Sequence, residues 1–214
     1  MELFESLIPL KINWFGDATI SIGRDADLLR LAQKSGCKIL LIGFESLNAD
    51  TLQSIGKKVN KIEDYSLSIN NIHEAGVSII GSFILGWDQD DTTAFDKVYG
   101  FINDNKIEIP NINVLIPFPG TPIYEQMKKE GRLLHEQWEL FSTTAGNVVF
   151  RPKLMTIEQL RHGYLKTQSK VFSLKSIIRR LSKCTDPVIF LVCLQANLRK
   201  MQSIHQKIAD QTVQ

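Results

Sequence analysis

The chain has 214 residues, of which 43% are hydrophobic and 22% charged, with a formal net charge of +2. Such a composition suits an ordinary soluble globular domain with or without an appendage, and so balanced a charge gives no electrostatic case for a nucleic-acid partner. The opening "MELFESLIPLKINW" mixes apolar and charged residues, unlike a secretory leader, and the apolar run Pro187 to Leu194 is far below the ~20 residues of a membrane span.

Three cysteines, Cys37, Cys184 and Cys193, cannot all pair and are not clustered, which reads as reduced thiols in a cytoplasmic protein. Along the first two thirds, short β-like runs alternate with amphipathic helical stretches. "ATISIG" (Ala18 to Gly23) reads as a first strand, and Asp25 then caps a helix striped by Leu28, Leu29 and Leu31 that stops at Gly36. "KILLIGF" follows as a second strand, and Asn48 caps a helix carrying Leu52 and Ile55. Ile62, Tyr65, Ile69 and Ile72 recur at helical spacing up to Gly76. "VSIIGSFILG" (Val77 to Gly86) is a third strand, Phe95, Val98, Phe101 and Ile102 mark a helix, and "PNINVLIP" (Pro110 to Pro117) is a fourth strand. Strands that are nearly all apolar belong to parallel sheets covered by helices, so the order implies right-handed βαβ crossovers.

From about His135 the character changes. "VVFRP" suits one short strand, and the remainder reads as helices, with Thr156 and Gln159 capping one and Ser173 the next. A last helix runs from Pro187 towards Ala209. Lys170, Lys175, Arg179, Arg180, Lys183, Arg199, Lys200 and Lys207 gather here, either as a solvated cationic helix face or as a surface for an acidic partner or a phosphate.

Chemistry in parallel α/β folds sits outside the carboxyl ends of the strands. Those ends are Gly23-Arg24-Asp25, Glu45-Ser46, Gly86-Trp87-Asp88 and the "PFPGTP" turn from Pro117. Glu45 closes an apolar run where the chain meets a ligand-accessible mouth. There it either accepts hydrogen bonds from a ligand or pairs with a strand-end base such as Arg24. Asp88, Asp90 and Asp91 read as a capping turn before the helix of Phe95 rather than as a metal cluster. "PFPGTP" is a rigid connection or a direct ligand contact. His73 and His162 lie within helical patterns without spaced partners, which argues against zinc. Cys37 reads as a small buried residue.

"SGCKILLIGFES", "GSFILGWDQD" and "IPFPGTPIYEQMKKEGRLL", in this order, resemble the later half of a radical S-adenosylmethionine (SAM) enzyme. They are closest to the group whose complete members carry a cobalamin-binding domain. The trailing "W…VVFRPKLMTIEQL…FSLKSIIRRL" resembles the helical extension of those proteins. The resemblance implies an α/β fold: a partial parallel (β/α) barrel over residues 1–134, holding the later strands of a six-stranded TIM-like barrel, and a mainly helical extension over 135–214. It implies SAM as cofactor, with Glu45 and Ser46 at the fourth barrel strand, Lys57 (with Lys58 beside it) towards the SAM carboxylate, Ser82 towards the ribose, and Ile116 and Pro117 near the adenine. The family's CxxxCxxC loop for a [4Fe–4S] cluster is absent, and the three cysteines lack its spacing. The cluster, and cobalamin if used, would then have their ligands outside this chain. The expectation is the C-terminal portion of an enzyme that cleaves SAM to a 5′-deoxyadenosyl radical and, with cobalamin, methylates an unreactive carbon. Alone it would be inactive, with an open sheet edge that another chain supplying the missing barrel half would cover. The alternative is a non-catalytic SAM-binding or scaffold protein.

Overall fold

The computed structural model describes residues 2–57, 60–135, 137 and 147–212. Among them, β1 (Trp14–Ala18), β2 (Cys37–Glu45), β3 (Ser78–Leu85) and β4 (Ile109–Val114) form one sheet in the order β1-β2-β3-β4. Every neighbouring pair is parallel. The helices between them are α2 (Ala26–Lys34), α3 (Ala49–Ser54), α4 (Tyr65–Glu74) and α5 (Ala94–Asp104), preceded by α1 (Glu2–Leu7). This is the βαβ succession expected of a partial (β/α) barrel. The helical part follows as α6 (Pro122–Lys129), α7 (Ile157–Val171), α8 (Leu174–Leu181) and α9 (Pro187–Thr212).

The caps fall where the sequence puts them. Asp25 accepts from Leu28 N at 2.9 Å, Asn48 from Asp50 N and Thr51 N, and Ser173 from Ser176 N. Thr156 and Gln159 form a reciprocal capping box. Gly36 takes φ 97° after α2, and a Cβ there would run into the Ile12 carbonyl.

One strand lies elsewhere than expected. The first strand is "WFGDA", and most of "ATISIG" coils into a 3₁₀ turn, Ile20–Arg24. Gly16, Asp17 and the exposed Phe15 break the apolar run, because β1 is an edge strand whose one face is uncovered. The 3₁₀ turn forms because Ile20 is wholly buried and Gly23 presses so closely on Ser68 of α4 that no Cβ fits between them. "VVFRP" contributes only a bridge from Phe150 to Leu133. Trp138 of the tail motif lies outside the described residues.

Alternation along β2 and β3 assigns the two sheet faces. Leu40, Ile42 and Phe44 of β2, with Ile79 and Phe83 of β3, are buried against α4 and α5. Phe44 stacks on Phe83 at 5.1 Å, Phe101 meets both rings edge-on, and Tyr65 meets Phe44 edge-on. Each such side chain contributes about 1.5–3 kcal/mol by burial. Leu41, Gly43, Ile80, Ser82, Ile84 and Asn113 occupy the opposite face and stay half-exposed, and Asn111 is exposed. That second face corresponds to a barrel interior.

The extension closes the β4 edge. Gln168 of α7 donates to the Ile112 carbonyl at 2.9 Å, a backbone acceptor on the edge strand. Gly163 leaves the space that the Phe95 ring fills, so α7 lies tight on α5. The cationic face needs one correction. Arg180 is 0% exposed rather than solvated, and it donates to the carbonyls of Ile107, Glu108 and Val171 and to Asn197 Oδ1. It pins α8 to the entry of β4 because its fork satisfies acceptors from three segments at once. Among the described residues no helix is long and apolar enough to cross a membrane.

Candidate functional site at the strand ends

Glu45 ends β2 in a left-handed conformation, φ 64°. The register shifts between Gly43 and Glu45, so Gly43 opposes Ser82 and Glu45 opposes Phe83, leaving Phe44 as the extra residue of a bulge. Asn60 Nδ2 donates to the Gly43 carbonyl at 3.0 Å and more weakly to that of Phe44, which holds the bulge in place. The bent strand folds the Glu45 carboxylate back over Gly43. A Cβ on Gly43 would stand 2.5 Å from Glu45 Oε1 and 3.7 Å from Lys57 Nζ. Lys57 Nζ is 3.4 Å from Glu45 Oε1, and its side chain is 41% exposed.

The expected partner Arg24 is elsewhere. It pairs with Asp64 at 2.9 Å, because the 3₁₀ turn carries it towards α4 rather than to a strand end. Glu45, Lys57 and Ser82 are therefore brought together around the missing side chain of Gly43. Ser46 is not part of that group. It is buried, its Oγ accepts from Asn48 N at 3.1 Å, and it lines a crevice of about 150 Å³ with Gln89, Asp90 and Lys97. Ile116 and Pro117 are buried beyond β4, the second strand over from β2. Lys58 lies outside the described residues.

A wider cleft of about 610 Å³ opens at the same end of the sheet, between Ser54 of α3 and the following Ile55, Trp87 to Gln89 after β3, Pro122, Ile123 and Gln126 of α6, and Lys153. Lys57 follows Ile55 by two residues, just past the end of α3. Trp87 is 8% exposed, and its buried Nε1 has no hydrogen-bond partner among the described residues. Asp88 accepts from Arg132 Nη2 at 2.7 Å and pairs with Lys153 at 2.8 Å, and Glu130 joins through Arg132 Nη1 at 2.8 Å. Burial alone would raise Asp88, but the hydrogen bonds from Arg132 and Lys153 outweigh it and hold the carboxyl below the usual range. Arg132 and Gln126 bring Glu130 to about 2.

The three aspartates after β3 thus divide their work. Asp91 caps Thr93, Asp88 joins the Arg132 network, and Asp90 Oδ2 accepts from Gly86 N at 2.9 Å and Trp87 N at 3.1 Å. Burial pushes Asp90 up to about 6 against those two hydrogen bonds. Asn60, Trp87 and the Asp88–Arg132 pair were not singled out as site residues from the sequence. Asp88 and Arg132 are 44 residues apart, and only the fold makes them neighbours.

No group of His, Cys, Asp or Glu among the described residues is arranged to hold a metal. Burial pushes the Cys37 and Cys193 thiols up to about 12 and raises Cys184. His73 pairs with buried Glu108 at 3.2 Å, and His162 faces the Glu158 carbonyl.

Residues 121–212 match a family described as a domain of unknown function, DUF4070. The chain is 36% identical over 181 residues to bacteriochlorophyllide d C-12(1)-methyltransferase of Chlorobaculum tepidum, covering 85% of this chain and 39% of that protein. It is 27% identical over 216 residues to bacteriochlorophyllide d C-8(2)-methyltransferase of the same organism, covering 96% of this chain and 48% of that protein. Hopanoid C-2 methylase of Rhodopseudomonas palustris is 26% identical over 120 residues, 56% of this chain and 23% of that protein. The chain belongs to the radical SAM superfamily. Members of that superfamily use SAM and a [4Fe–4S] cluster. The chain spans less than half the length of these curated relatives.

Proposed function

We propose that this chain is the SAM-cradling C-terminal portion of a radical SAM methyltransferase. Residues 1–134 would supply the later barrel strands and 135–214 the helical extension. The observation that carries the reading is the Glu45–Lys57 pair lying over Gly43, at the carboxyl end of a parallel sheet and in register with Ser82. A carboxylate and an ammonium in one cradle are complementary to the α-ammonium and α-carboxylate of SAM. Neither charge needs to be created on binding, since each exchanges one partner for another.

Glu45 accepts from the ligand's ammonium in this reading, Lys57 donates to its carboxylate, and Ser82 supplies a hydroxyl one strand away. Ile116 and Pro117 give apolar surface beside the adenine, and Ser46 orders the turn after Glu45. SAM and a [4Fe–4S] cluster, when bound, would supply the radical for hydrogen abstraction. The cluster's ligands, and those of cobalamin if the enzyme uses it, belong outside this chain. By itself the chain would bind without turning over.

A second reading, a SAM-binding or scaffold protein without catalysis, draws on the cysteines, two of which are buried with thiols near 12. A graft separates the two. Replacing the matching segment of bacteriochlorophyllide d C-12(1)-methyltransferase with this chain should preserve formation of 5′-deoxyadenosine, and Glu45→Gln in the graft should lower it at least tenfold. A folded graft with the parent's iron content that makes no 5′-deoxyadenosine favours the scaffold.

A further inference from the structure

The extension carries a surface that SAM chemistry does not use. Between Gln159 and Ala209 the sequence holds ten Lys or Arg against a single acidic residue, Asp186; of the ten, Arg180 is buried, and Lys170 and Arg179 pair with Asp96 and Asp104 of α5. Asp186 is itself paired with Lys38 at 2.8 Å.

The placement of apolar residues in this region is unusual. On α8, Leu174 and Ile178 are 56% and 70% exposed, one turn apart. Lys175 on α8 and Lys183, two residues past the end of that helix, are both exposed, and neither has an acidic partner among the described residues. The other side of α8, with Ile177 and Leu181, packs against Cys193 of α9. On α9, Val188, Leu191 and Val192 are 67%, 62% and 46% exposed at helical spacing, and they border a groove that Arg199 and Gln202 also line.

Helices that already bury one face in the fold gain nothing from a second face of Leu, Ile and Val in water. Cations alone would suit any polyanion. Cations beside protruding aliphatic side chains suit a surface that is both anionic and oily, which is an anionic phospholipid leaflet. A nucleic acid would leave the aliphatic ridge without a partner, and a second copy of this chain would set cation against cation. We infer that the exposed faces of α8 and α9 dock this protein peripherally on an anionic membrane surface, with Val188, Leu191 and Ile178 entering the headgroup region and Lys175 and Lys183 facing acidic headgroups. The inference stands apart from the SAM reading and survives its failure.

Flotation of the 214-residue chain with vesicles tests it. Binding is expected to vesicles of phosphatidylcholine with phosphatidylglycerol and not to phosphatidylcholine alone. Lys175→Glu with Lys183→Glu should weaken binding by at least about tenfold. Leu191→Ser with Ile178→Ser should weaken it too, and in a way that high salt does not reproduce. Both positions are exposed, so folding is expected to be kept, and far-UV circular dichroism with a urea midpoint verifies it. No binding to the mixed vesicles would overturn the inference. So would binding that neither double variant alters, or a concentration-dependent dimer that Leu191→Ser dissolves. Duplex DNA competing away a cation-dependent interaction that the aliphatic variants leave intact would assign the surface to nucleic acid instead.

Discussion

Lys57 Nζ stands 3.4 Å from Glu45 Oε1 above a residue that has no side chain, Gly43. The relationship depends on a backbone compromise, since Glu45 holds φ 64°, where an ordinary L-residue costs about 1–2 kcal/mol.

Glu45→Gly should therefore stabilise the fold even as it removes the site's carboxylate. Relief of the left-handed conformation exceeds the loss of a pair whose lysine is largely exposed, a pair worth less than about 1 kcal/mol. A rise in the urea midpoint, together with loss of SAM binding, is the expected outcome. A clear fall would mean that the bulge is not strained at Glu45.

Asp90 makes a pH prediction. Burial raises its folded pKa to about 6, above the ~3.9 of the unfolded chain. Its stabilising contribution is fully present below about pH 4 and is lost as pH rises through about 6. The lowered carboxyls Asp88 and Asp186 act oppositely, losing their contribution as pH falls, and their effect lies below that window. Between pH 4 and 6 the urea midpoint of the native chain should decline relative to that of Asp90→Asn, whose amide oxygen can still accept from Gly86 N and Trp87 N. Parallel curves for the two proteins would contradict the assignment.

Arg180 is buried and donates to the Ile107, Glu108 and Val171 carbonyls and to Asn197 Oδ1, on three separate segments. Arg180→Met should cost at least about 3 kcal/mol, because it removes the donor that Arg180 gives the buried Ile107 and Val171 carbonyls and Asn197 Oδ1. Arg180→Lys should restore little, since a single ammonium cannot span the fork. The exposed Arg179, paired with Asp104 at 57% and 70% exposure, is the control, and Arg179→Met should change stability by less than about 1 kcal/mol.

Much of the fold was legible because local chemistry and fold agree. The apolar runs from Cys37, Ser78 and Ile109 became parallel strands, and Asp25, Asn48, Thr156 and Ser173 cap where their side chains meet free N–H groups. The first strand was misplaced because an edge strand has no need of a continuous apolar run, while the buried Ile20 imitates one. At the site, Glu45 was visible as a carboxylate closing a core strand. Its pairing with Lys57 rather than Arg24 was not, since it depends on a one-residue bulge and on Asn60, which carries no pattern of its own. The Arg180 clamp was hidden likewise, as a run of cations reads as solvated unless the acceptors are known.

Titrating SAM into the chain by calorimetry addresses the central claim most directly, comparing the native protein with Glu45→Gln and Gly43→Ala. The account predicts weak but saturable binding to the native chain. It predicts at least a tenfold loss in Glu45→Gln, and a comparable loss in Gly43→Ala, where the new methyl group displaces the carboxylate. Affinity unchanged in both folded variants, or no heat at millimolar SAM with the native chain, would contradict it.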